Sequence, residues 1–206
     1  MGARAQSAAL DAGTVSAEEL MTATLSRIAA VNGTVNAIVS LSDGERLLAE
    51  ARAADKAPRQ GWLHGIPMAI KDLANAEGLP TSRGSPLFAG QVAEADDTMV
   101  ARLRAAGAII IGRTNTPELS MRATTDNPLR GRTLNPWDDE ASPGGSSGGA
   151  GAAAAAGFGP IHHGNDIGGS LRNPAHCCGI SSIKPTVGVV PMATVIPPED
   201  PLLAAQ

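Results

Sequence analysis

Two glycine clusters that each carry serine constrain this chain more than any other feature. The first is Gly-Gly-Ser-Ser-Gly-Gly at residues 144–149. The second is Gly164-Asn165-Asp166-Ile167-Gly168-Gly169-Ser170-Leu171-Arg172, and only a short Ala-rich spacer separates the two. Glycine at this density adds no bulk around the backbone, so N–H groups can approach a ligand directly. A serine set in such a cluster is presented to a substrate with donors already aimed at it. Upstream, the apolar run Gly65-Ile66-Pro67-Met68-Ala69-Ile70 ends on Lys71. Serines among aimed donors, with a lysine at the end of an apolar segment, point to acyl transfer.

Between these motifs, helix and strand signals alternate. Ser16-Ala-Glu-Glu19 reads as a capping box and predicts a helix to about residue 31, closed by Asn32-Gly33. A strand over 37–41, a helix over 44–54 and a loop over 56–61 follow. Residues 66–71 form a short apolar strand whose last residue is the lysine. A helix is expected over 97–106 with Gly107 at its C-terminal cap, then a buried strand over 108–111. Residues 124–143 hold many turn formers and little periodicity, which predicts a long loop approaching the glycine clusters. Residues 150–156 predict a small-residue helix and 160–163 a brief strand. This alternation predicts an α/β fold, a mixed, largely buried sheet covered by helices on both faces. We expect one domain over 1–206, with a helical N-terminal part at 1–60 and the motif region at 61–190.

Bulk properties bound the function. The 206 residues are 43% hydrophobic and 17% charged, enough for a folded core. With two Trp, two Phe and no Tyr, that core must be built from Ala, Val, Ile and Leu. A net charge of −4 gives no basic footprint for nucleic acid. No apolar run is long enough to predict a membrane helix. The N-terminus lacks a secretory apolar region, and Gln6 stands where a myristoylation motif places Ser or Thr. A cytoplasmic protein is expected. Cys177 and Cys178 are adjacent, a spacing that disfavours a bond between them, and are read as buried small apolar residues.

Four motifs in order, His64-Gly-Ile-Pro-Met-Ala-Ile-Lys71-Asp72, the 144–149 cluster, Asp166-Ile-Gly-Gly-Ser170-Leu-Arg172 and Gly179-Ile-Ser-Ser-Ile-Lys-Pro-Thr186, resemble the amidase signature family. The resemblance runs from about residue 16 to about residue 190. It implies serine hydrolases with a Ser–cis-Ser–Lys triad: Ser170 as nucleophile, Ser146 after a cis peptide as relay, and Lys71 as base. Lys71 must then be neutral, which burial beside Ile66, Met68 and Ile70 can supply by desolvation. Asp72, one residue on in a strand, should face the opposite way. The resemblance also implies that Ile167, Gly168, Gly169 and Ser170 donate N–H groups to the oxyanion. Asp166 and Arg172 are expected to hold the loop, and Ser147 to cap the next helix or support Ser146. Thr125 and Asn127 are expected to orient the glycine clusters. Asn165 stands where the family more often has Thr or Ser. Family members are considerably longer, so the resemblance further implies an N-terminal part of a larger α/β/α domain, its sheet incomplete at the C-terminus. The run Pro197-Pro198-Glu199-Asp200-Pro201 is read as a polar loop.

Amide hydrolysis through a serine acyl-enzyme is the function this implies, with a small-molecule amide as partner and neither cofactor nor metal. The alternatives are the amidase component of a tRNA-dependent amidotransferase, or an inactive remnant. Self-association into a homo-oligomer is left open. Residues 145–149 also fit G-x-S-x-G with Ser147 central, but a turn-rich run precedes them where that motif needs a strand. Residues 149–154 loosely resemble a dinucleotide fingerprint, again without a strand. His162, His163, His176, Cys177 and Cys178 lack zinc-site spacings.

Overall fold

The computed structural model describes residues 1–191. Helix α1 (Ala3–Asp11) leads into α2 (Ala17–Val35), whose start is the capping box: Ser16 Oγ accepts from Glu19 N–H, and the Glu19 carboxylate accepts from Ser16 N–H. Helix α2 runs past the expected Asn32-Gly33 stop. The Asn32 side chain explains this, because its Oδ1 accepts from Ala37 and Ile38 N–H at 2.9 Å and its Nδ2 donates to Ile38 O. The turn is thereby built after the helix, at Asn36, which takes the left-handed φ of 52°.

Strand β1 (Ile38–Leu41), helix α3 (Gly44–Lys56), strand β2 (Pro67–Lys71), helix α4 (Thr98–Ala105) and strand β3 (Ile109–Thr114) complete the central layer. The strand order is β1-β3-β2, with β1 antiparallel and β2 parallel to β3. The sheet is therefore mixed, and helices cover both faces. One face packs Ala69, Ile109 and Ile111 against α2, α3 and helix α5 (Gly148–Ala156). The other packs Met68, Ile70 and Ile110 against Met99 and Val100 of α4 and the loop residues Leu63, Ala76 and Leu79.

Strand β3 extends three residues beyond the expected 108–111. A bulge makes this possible: Met68 pairs with Ile110 but Ala69 pairs with Gly112, leaving Ile111 as the extra residue. A bulge resets the alternation of faces. Arg113 consequently pairs with Ile70 and turns to the α4 face, where its Nη2 reaches Ala74 O and the Asp72 carboxylate. Without the bulge this buried cation would point at the face that holds Lys71.

Two further expectations change. Residues 124–143 are not a featureless loop, since β4 (Asp126–Asn127) and β5 (Gly131–Arg132) form a small antiparallel hairpin. Its turn is built by Asn127 Oδ1, which accepts from Leu129 and Arg130 N–H. Residues 160–163 are not a strand. His163 N–H does donate to Ala69 O at 3.0 Å, but Ala69 N–H donates to the His162 ring Nδ1 at 3.1 Å. A side chain thus replaces the backbone carbonyl that a ladder needs. Helix α6 (Arg172–Cys178), which the periodicity did not signal, follows the second glycine cluster and packs on α5. The Pro-rich run at 197–201 lies outside the described residues.

Candidate active site

Lys71, the last residue of β2, is fully buried. Alternation along β2 turns it to the α5 face, where Nζ lies 2.7 Å from Ser146 Oγ and 2.6 Å from Asn165 Oδ1. Burial lowers its pKa from 10.5 to about 7, with the charge of Asp166 opposing in part. Near neutral pH a large fraction is therefore free amine, able to accept a proton. Asp72 sits on the other face. Its carboxylate accepts from Ser82 N–H at 2.9 Å and from Ser82 Oγ, and pairs with Arg113.

The Gly145–Ser146 peptide is cis, as the resemblance implies. Ser147 has another task than the expected helix cap, since no cap bond forms at the start of α5. Its Oγ instead donates to Asn165 O at 3.2 Å and accepts from Asn165 N–H at 3.3 Å, while its N–H donates to Ser170 O at 3.2 Å. One residue so ties the first cluster to the second. Thr125 touches the first cluster directly: Oγ1 donates to Gly144 O and accepts from Gly148 N–H. Asn127 does not touch it; Nδ2 binds Asn115 Oδ1 and Thr116 O.

The second cluster wraps around Asp166, which is itself shut off from solvent. Its carboxylate accepts N–H groups from Gly169 at 2.6 Å, Leu171 at 3.1 Å and Arg172 at 3.2 Å, and both oxygens pair with the Arg172 guanidinium. Burial alone would raise this carboxyl, but the Arg172 guanidinium and these backbone donors hold it well below the usual carboxylate range. The Gly169 N–H is thereby taken up. Ile167, Gly168 and Ser170 N–H make no hydrogen bond among the described residues, and Ile167 and Gly168 are exposed. Three of the four expected donors face outward, and the fourth holds the loop. Ser170 is half-buried, and no hydrogen bond joins its Oγ to Ser146 Oγ among the described residues.

From sequence, Asn165 had only a loop role, whereas it contacts Lys71. The available signal was an amide in a position flanked by two charged motif members. Asn173 was missed as well; its Nδ2 reaches Ala123 O at 3.1 Å and Gly145 O at 3.4 Å. No cluster of three metal-capable side chains occurs among the described residues. His162 and His163 are pushed down to about 4 and about 3, in both cases first by burial, and both ring nitrogens of His163 lack a partner. The expectation of two buried cysteines holds only for Cys178, whose thiol burial raises to about 12; Cys177 is half-buried. The roomiest groove, about 830 Å³ between α1 and residues 59–62, shares no residue with this cluster, so chemistry rather than volume marks the site.

A buried amine touching one hydroxyl, beside a second serine on a donor-rich loop, is the arrangement of a serine acyl-transfer site on an α/β frame. The family model described as Amidase matches residues 19–204. The chain belongs to the amidase signature family. It is 52% identical over 188 residues to an indoleacetamide hydrolase of Bradyrhizobium diazoefficiens, covering 89% of this chain and 36% of that protein. It is 47% identical to one component of the glutamyl-tRNA(Gln) amidotransferase of Chloroflexus aurantiacus, covering 90% of this chain and 39% of that protein. Among solved structures, a bacterial aryl acylamidase of the amidase signature family superposes with a TM-score of 0.86 at 29% identity, over 95% of this chain and 41% of that one. The chain thus spans about two fifths of the length of these proteins.

Proposed function

We propose that this chain carries the catalytic residues of an amide hydrolase working through a serine acyl-enzyme, with Ser170 as nucleophile, Ser146 as relay and Lys71 as base. The observation that carries this is the buried Lys71 Nζ 2.7 Å from Ser146 Oγ, held near neutrality by desolvation. In acylation, Ser170 Oγ bonds to the amide carbon, its proton passes to Ser146, and the Ser146 proton passes to Lys71. The carbonyl electrons move to the oxygen, which the outward N–H groups of Ile167, Gly168 and Ser170 receive. Collapse breaks the C–N bond, and the amine leaves with the proton returned from Lys71 through Ser146. Water, deprotonated by the same relay, then cleaves the ester and regenerates Ser170. The Ser170–Ser146 link forms with substrate in place, because catalytic hydrogen bonds are often loose in free enzymes.

Asp166 and Arg172 hold the loop, Ser147 and Thr125 hold the two clusters together, and Asn127 supports the hairpin behind them. We read 1–206 as one domain whose chemistry lies in 61–190. The partner is a small amide, and no described helix is long and apolar enough to cross a membrane. Likeness to an amidotransferase component favours one second reading, glutamine as the ammonia source within a larger assembly. Glutaminase activity appearing only with partner proteins would select it.

Acyl-enzyme chemistry is tested by adding hydroxylamine during turnover of an acyl anilide and a primary amide. Hydroxamate should form in proportion to hydroxylamine. Hydrolysis continuing with no hydroxamate would mean direct attack by water, and turnover of neither amide would count against the proposal.

A further inference from the structure

Lys71 Nζ has two hydrogen-bond partners among the described residues, Ser146 Oγ at 2.7 Å and Asn165 Oδ1 at 2.6 Å. A base must offer its lone pair to the hydroxyl it deprotonates. A neutral amine has two N–H bonds and one lone pair, so its orientation has to be fixed by something else. We propose that Asn165 is a positioning residue: its carboxamide oxygen holds one Lys71 N–H and thereby aims the lone pair at Ser146. The inference rests on the acyl-transfer reading above and goes beyond it.

Three observations support it. An amide oxygen accepts and never donates, so Asn165 Oδ1 cannot compete with Ser146 for the lone pair. A threonine or serine hydroxyl in that place could do either. Second, the carboxamide is held from the first cluster itself, since Ser147 Oγ binds both the N–H and the C=O of Asn165. Gly164 permits this approach, because a Cβ there would lie 2.7 Å from Leu171 Cδ2 and 2.8 Å from Ser147 Oγ. The neighbour of the relay serine thus sets where the acceptor sits. Third, the charged groups around the amine leave this role to Asn165. Asp166 acts through space, its oxygens occupied by Arg172 and backbone N–H groups. His163, on the segment along β2, is held neutral first by burial and then by the charges of Lys71 and Arg113. His162 is occupied by Ala69 N–H, and Asp72 and Arg113 lie on the opposite sheet face.

An acceptor on Lys71 favours the ammonium over the amine, so side chains at 165 should move the lysine pKa in opposite directions. The test uses the whole chain and three variants, Asn165→Asp, Asn165→Leu and Asn165→Thr. Each is titrated by ¹³Cε NMR of Lys71, and its rate of Ser170 labelling by a fluorophosphonate is followed against pH. Asn165→Asp should raise the midpoint above the parent's, because it adds a negative charge. Asn165→Leu should lower the midpoint and reduce the plateau rate at least tenfold or so, the loss of one hydrogen bond to a charged group. Asn165→Thr should return most of the plateau.

Equal Lys71 midpoints in the parent, Asp and Leu variants, with Ser170 still labelled, would overturn the inference and leave the catalytic reading intact. Opposite shifts by NMR without labelling of Ser170 in any protein would keep the contact and discard the catalytic reading. If the leucine variant does not fold, the near-isosteric aspartate decides by the same midpoint.

Discussion

Replacing Lys71 by methionine is expected to slow acyl transfer to Ser170 by about 10²–10⁴-fold, the range for losing a positioned general base, while leaving the fold at least as stable near neutral pH. Methionine keeps length and apolar contact but has no proton-accepting nitrogen. Burial accounts for the effect on stability. Holding the lysine down from 10.5 to about 7 corresponds to roughly 5 kcal/mol against the folded state, at about 1.4 kcal/mol per factor of ten. Methionine removes that cost, offset by about 1–3 kcal/mol for each partner left without its hydrogen bond, Ser146 Oγ and Asn165 Oδ1.

The pH dependence carries a definite sign. Between about 7 and 10.5 the unfolded lysine binds a proton that the folded one does not, so the parent gains stability as pH rises through this window. Below it both states are protonated and the cost is complete. The Tm of the variant minus that of the parent should therefore be greatest below about pH 7 and shrink toward about pH 10. Activity has the matching limb: labelling of the parent should fall as pH drops below about 7, where Lys71 takes up its proton. A flat Tm difference would mean that Lys71 is solvated.

The second large effect is structural. Gly149→Ala is expected to destabilise the fold by about 3 kcal/mol or more, the upper part of the range for overpacking. Gly149 lies in the first turn of α5, directly against the end of β3. A Cβ there would fall 2.5 Å from Asn115 O, 2.9 Å from its Cα and closer still to its N. These are backbone atoms, so no side chain can swing aside. Helix propensity favours alanine over glycine by about 1 kcal/mol and works the other way. Chemical denaturation of the variant decides which prevails, and unchanged or increased stability would show that α5 stands farther from the sheet. A loss of several kcal/mol is a large part of the 5–15 kcal/mol typical of a domain.

Features carried by adjacent residues were legible in the sequence. The capping box at Ser16 and Glu19 is local chemistry, and the buried strand ending on Lys71 is a contiguous apolar run. The layered α/β arrangement followed from alternation of such segments. What stayed illegible depends on partners distant in the chain. Nothing near Arg113 announces that a bulge at Ile111 will turn it toward Asp72. Nothing near His162 indicates that its ring will occupy the place of a ladder carbonyl beside Ala69. At the site, the glycine clusters marked the positions of Ser146, Ser147 and Ser170, but not that Ser147 would tie Asn165 and Ser170 together. The glycine-rich loop offered four N–H groups without showing that Asp166 takes the one on Gly169.

Acylation of Ser170 is the step on which the proposed chemistry depends, and it can be read directly by mass-spectrometric mapping of the adduct after fluorophosphonate treatment of the intact chain. We predict one phosphonylated serine, Ser170, with labelling abolished in Ser170→Ala and strongly reduced in Lys71→Met. An adduct on Ser147 or another serine, or labelling of Ser170 at the parent's rate in Lys71→Met, would contradict that assignment.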